Sequence, residues 1–87
     1  MHERSDENRS RTVDVPLAMA EAGLDVVRLG RALEGKLSRA VAGDAIAAST
    51  LAQSVVAAAA RLVAINAREG DDRVARAERL TADAGSG

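Results

Sequence analysis

Residues 44–66 read DAIAASTLAQSVVAAAARLVAIN, and this stretch decides the fold. Arg61 is the one charge between Asp44 and Asn66, and none occurs from Ala45 to Ala60. At about 3.6 residues per turn the segment makes roughly six turns of α-helix. Leu51, Val55, Ala58, Leu62 and Ile65 form one apolar stripe at helical spacing. Ala48, Ala52, Val56, Ala59 and Val63 form a second beside it. A helix apolar over most of its circumference cannot rest on a surface and needs neighbours on several sides. A chain of 87 residues is too short to supply them all. The expected class is all-α: an antiparallel hairpin of two long helices plus a short C-terminal helix. This unit is expected to be part of a multi-helix bundle, completed by oligomerisation or by a partner chain.

Working outward, Asp44 is expected to cap the second helix, with Lys36–Gly43 as the connection before it. The first helix is expected from Asp14, a cap, through Pro16 in its first turn, to Gly35. Met19, Ala22, Val26, Leu29 and Leu33 make one apolar stripe there, and Leu17, Ala20, Leu24 and Val27 a second. Asp25–Arg28 and Arg31–Glu34 stand at pairing distance along the helix. Gly23 and Gly30 lie mid-helix seven residues apart, where each costs about 1 kcal/mol against Ala. They are either tolerated weak points or places where a partner helix comes close. After Gly70, Asp71 or Asp72 caps a third helix to about Ala82, with Val74 and Leu80 facing inward. The domain reading is thus a disordered tail over 1–12, or an exposed extension of the first helix; a helical domain over 13–82; and a loose tail over 83–87.

Composition removes several functions. Without Phe, Trp or Tyr there is no base-stacking platform, and a net charge of −1 gives no basic field for nucleic acid. No nucleic-acid partner is expected. Without Cys there is no disulfide or thiolate chemistry, and a cytoplasmic location is expected. The single His, His2, lies in the polar N-terminal segment, which leaves neither a His-based triad nor a zinc site. The Ala45–Ala60 run is shorter than the ~20 residues of a membrane span and carries Ser49, Thr50, Gln53 and Ser54, so no membrane contact is expected.

Four elements in order then carry a resemblance: Val15-Pro-Leu17, Asp44, Leu51-Ala52 and Val63-Ala-Ile-Asn66. This set resembles the C-terminal half of the cyclodeaminase/cyclohydrolase family, the helical folate enzymes that include formiminotransferase-cyclodeaminase and methenyltetrahydrofolate cyclohydrolases. The likeness covers about residues 12–82. Gly43 stands where the family has Ser, and the family's N-terminal Gly-rich segment and following acidic helix have no counterpart. The resemblance therefore implies chemistry on the one-carbon bridge of methenyl- or formimino-tetrahydrofolate, achieved with a second copy or a second chain. A tetrahydrofolate derivative is the implied substrate, and no covalently bound cofactor or metal is implied.

Such chemistry needs acid/base groups beside the bridge and a pocket for a flat pterin. Asp44 reads as a general base or pterin-binding carboxylate, or else as an N-cap. Asn66 reads as a donor to a ligand edge, or as a group satisfying backbone near the helix end. Arg61 reads as a partner for a folate glutamyl carboxylate, or as an ion-pair or solvated residue. The competing function is a non-catalytic helical oligomerisation or interaction module that keeps the family's hairpin for packing.

Overall fold

A computed structural model describes residues 2–86. Met1 and Gly87, the outer ends of the two expected tails, lie outside the described residues, as do the side chains of residues 2–5. Three helices follow one another: α1 (His2–Ala32), α2 (Arg39–Asn66) and α3 (Asp72–Gly85). The all-α class is therefore observed. α1 and α2 form an antiparallel hairpin, shown by the opposition of Gly23 to Val56 and of Gly30 to Ser49. α3 runs parallel to α1, from the Arg73–Asp14 contact at one end to the bonds of Arg31 with the carbonyls of Asp83 and Ala84 at the other.

Two stripes identified in the sequence become the core. Ala20, Leu24 and Val27 of α1 meet Ala52, Val56 and Ala59 of α2, and Leu80 and Ala84 of α3 close the cluster. A smaller cluster joins Val13, Val63 and Ala77, one from each helix. These side chains are small, so the helices must approach closely to exclude water. Gly23 shows how closely: a Cβ there would stand 2.7 Å from Cγ2 of Val56 and 3.2 Å from the carbonyl oxygen of Ala52. The close-approach reading of this glycine is the one observed. Gly30 faces the Ser49 side chain in the same way.

Several boundaries differ from expectation. α1 begins at His2, so of the two readings of residues 2–12 the extension of the first helix is the one observed, and not the disordered tail. Pro16 then lies inside the helix and not in its first turn. Gly35, at φ 77°, belongs to the turn after α1, whose last residue is Ala32. α2 starts at Arg39 with Ser38 at the N-cap, so Asp44 caps nothing and sits exposed in the second turn. The Asp71 cap is as expected: its carboxylate accepts the backbone N–H of Arg73 at 2.9 Å. α3 continues to Gly85 with Ala84 buried, so residues 83–85 are helix and not loose tail. The expected Asp25–Arg28 and Arg31–Glu34 pairs give way to longer reaches. Arg28 approaches Asp83 at 3.8 Å, and Arg31 donates to the last carbonyls of α3.

α2 is not enclosed within one chain. Val56 and Val63 are fully buried, yet Leu51 is 67% exposed and Ile65 74%. The helix is 28 residues long, and by length and composition it is apolar enough to cross a membrane. The shortness of the Ala45–Ala60 run is thus no argument against a span. Thr50 and Ser54 return their hydroxyls to carbonyls one turn back, at 3.0 and 3.3 Å.

Candidate functional site

α3 is much shorter than the hairpin it covers, and this creates a pocket. Its last turn stops level with Arg31 and Gln53. Arg31 donates to the carbonyls of Asp83 and Ala84 at 3.0 and 2.7 Å, and Gln53 donates to Ala84 at 3.0 Å. These bonds satisfy carbonyls that end a helix without intrahelical partners. Beyond them the hairpin continues uncovered. A pocket of about 330 Å³ opens there between the end of α1 and the start of α2. Leu33, Leu37, Ala45 and Ile46 supply its apolar wall, and Gly30 leaves room beside Ser49. Glu34 is its one carboxylate and Arg31 its one cation. The volume lies at the lower end of small-molecule sites, which run from roughly 300 to 1,000 Å³. An apolar slot with one carboxylate, two hydroxyls (Ser49, Thr50) and an amide can hold a flat heterocycle and accept one proton.

The opposite end of the bundle is a polar clamp. Arg73 donates to Asp71 at 2.6 Å, to Asp14 at 2.7 Å, and to the carbonyl and hydroxyl of Ser10 at 3.2 Å each. The Arg73 side chain, followed by its backbone N–H, holds the Asp71 carboxyl down to about 2 from an ordinary 3.8. Asp71, followed by Asp14, in turn raises the Arg73 pKa. Arg68 holds Asp6 at 2.8 Å, and Arg76 holds Glu21 at 2.9 Å. The clamp's charges serve one another and fix the N-terminal turns of α1.

The three residues singled out in the sequence do not converge. Asp44 and Asn66 lie near opposite ends of α2, about 33 Å apart at ~1.5 Å per residue. Asp44 is exposed and does not line the pocket, although Ala45 and Ile46 do. Arg61 is exposed and pairs with no carboxylate among the described residues. Asn66 does have a partner: its side-chain amide donates to the carbonyl of Thr12 at 3.0 Å. That carbonyl is the one Pro16 leaves without its helical donor, because Pro has no N–H. Glu34, Ser49 and Gln53 were not chosen as ligand groups from the sequence. Glu34 looked like half of a helix-surface ion pair, and only the shortness of α3 exposes the slot beside it. Among the described residues no group of His, Asp and Glu is placed to hold a metal ion.

Comparison with known proteins decides the kinship. The model of the family Formiminotransferase-cyclodeaminase matches residues 2–84. This chain belongs to that family. The match begins ten residues before the resemblance traced in the sequence and takes in the N-terminal turns of α1. Within this family member, Pro16 of the Val15-Pro-Leu17 element and Asn66 of the Val63-Ala-Ile-Asn66 element meet through the Thr12 carbonyl. No curated protein and no solved structure matches the chain.

Proposed function

We propose that this chain is a partial cyclodeaminase/cyclohydrolase-like protein, related to enzymes that act on the one-carbon bridge of methenyl- or formimino-tetrahydrofolate. It works after self-assembly or with a second helical chain. Membership of the family across residues 2–84 carries this reading. The pocket beside Glu34 supports it with space for a flat ring and a single proton acceptor. Hydrolysis of the methenyl bridge adds water to the one-carbon centre as one water proton passes to a base; the departing nitrogen is then protonated while the hydroxyl proton leaves to give the formyl carbonyl, so one proton is released overall. Glu34 serves the first transfer, and the acid for the second comes from another copy or chain. The absence of Cys suits work in a reducing cytoplasm. The test is titration of methenyl- and formimino-tetrahydrofolate into the full chain. Saturable binding that weakens in Glu34→Gln is expected, and no binding at any protein concentration contradicts the reading.

A second reading is favoured by one observation: Asp44, Arg61 and Asn66 are spread along α2 without a shared cleft. On that reading the chain is a helical interaction module. It then forms stable assemblies whose size and melting temperature do not respond to folate.

A further inference from the structure

The last turn of α3 is held by side chains that also line the slot beside Glu34. Nη1 of Arg31 donates to the carbonyl of Asp83 at 3.0 Å, and Nη2 to that of Ala84 at 2.7 Å. Gln53 donates to the same Ala84 carbonyl at 3.0 Å. Arg31 and Gln53 both line the slot, and no residue of α3 does. The slot and the helix end therefore share these two side chains.

Little else fixes this turn. Ala84 is buried but offers only a methyl group, and Arg28 reaches Asp83 at 3.8 Å between two exposed side chains. The other end of α3 is anchored separately, by Arg73 on Asp14 and Ser10. Its middle is held by Arg76 on Glu21 and by Ala77 and Leu80 in the core. Loss of the Arg31 and Gln53 bonds thus frees the final turn and leaves the rest of α3 docked.

The donors in use are the ones an anion would take. A carboxylate pairs with Arg through parallel N–H bonds, and such charge-assisted bonds are roughly twice as strong as bonds to neutral carbonyls. Both terminal nitrogens of Arg31 are committed to carbonyls instead. Glu34 on the slot's wall repels an anion unless Arg31 turns inward beside it. The remaining wall, with Leu33, Leu37 and Ile46, suits a flat apolar ring. We propose that the last turn of α3 is a latch on the slot: a flat ring bearing a carboxylate draws Arg31 off the carbonyls of Asp83 and Ala84 and releases that turn. Slot occupancy and docking of the α3 end then oppose one another, and each weakens the other by the same factor. This inference rests on the slot being a ligand site, as the proposed function has it, and not on the ligand being a folate.

Two measurements on the full chain test it. The first is hydrogen exchange during titration with benzoate, with benzamide as the uncharged control of the same shape. Benzoate is expected to speed exchange of the amides of residues 84–86 several-fold at saturation, and benzamide to leave them unchanged. A bound ligand ordinarily slows exchange by stabilising the folded state, so acceleration confined to one turn is specific to a released latch. The second is the benzoate affinity of Ala82→Gly. Ala82 is exposed in the last turn, and Gly there loosens the helix end without touching the slot. Affinity is expected to rise by up to about fivefold, the factor carried by the lost helix propensity. Benzoate that does not bind, exchange in residues 84–86 that slows or stays unchanged, or equal affinity in Ala82→Gly and wild type overturns the latch. Saturable binding of methenyl-tetrahydrofolate alongside any of those results spares the folate reading. Release by benzoate in a chain that binds no methenyl-tetrahydrofolate keeps the latch and sinks the folate reading.

Discussion

Asn66 donates its side-chain amide to the carbonyl of Thr12 across 3.0 Å, and so ties the last residue of α2 to the N-terminal third of α1. Pro16 is the reason this carbonyl is available. In an uninterrupted helix the N–H of residue 16 would take it, and Pro has none. An internal proline, which usually weakens a helix, here creates an acceptor for its neighbour.

A double-mutant cycle reads this coupling. Asn66→Ala is expected to cost about 1 kcal/mol, the usual net worth of such a bond. In a Pro16→Ala background the new N–H satisfies Thr12 internally. The same Asn66→Ala change should then cost close to nothing, as denaturant melts of the four proteins would show. Equal costs in both backgrounds would mean that the amide does not depend on the proline.

The two helix glycines should behave differently despite their shared spacing. Gly23→Ala drives a Cβ into Val56 and toward the backbone oxygen of Ala52, which cannot step aside. Overpacking of about 1–3 kcal/mol outweighs the ~1 kcal/mol gained in helix propensity. Gly30→Ala meets the Ser49 hydroxyl, which can rotate. That variant should keep or raise stability, by up to about 1 kcal/mol. Thermal unfolding of the two variants checks the order.

Stability should fall in acid through the Asp71–Arg73 clamp. The folded carboxyl sits at about 2, below its ordinary 3.8. Its contribution is therefore complete above the unfolded value and lost as the pH drops through the folded one. Arg73→Met should remove this part of the acid dependence. It should also speed hydrogen exchange in residues 9–14, which the clamp holds through Ser10 and Asp14. An unchanged acid profile would assign the loss to other carboxylates.

Ala59 lies at the centre of the core at 1% exposure. Ala59→Glu should abolish cooperative folding, because an unpaired carboxylate there has neither water nor a cation. Retained helicity with a sharp melt would contradict the packing of α2 against α1 and α3.

Much of this was legible in the sequence, and the exceptions share a cause. The stripes through Val27 and Val56, the stops at Gly35 and Gly70 and the cap at Asp71 follow from local rules. The start of α2 did not, because Ser38 makes no side-chain cap bond and Asp44 resembles a cap without being one. The N-terminal turns of α1 carry no apolar period. They are held by Arg68 and Arg73, partners about sixty residues away in sequence. The choice of which stripe α3 covers is likewise a long-range matter, decided where Leu80 and Ala84 pack. The pocket was hidden for the same reason: it depends on where a third helix stops relative to the other two.

The most direct test of an incomplete folate-family scaffold is titration of methenyl-tetrahydrofolate into the full chain over a range of chain concentrations, with the association state of each sample followed by sedimentation. Saturable binding that appears only where the chain is assembled is the expected result. Equal affinity at concentrations where the chain sediments as a monomer would show that one copy already builds the site, and would contradict the need for a second.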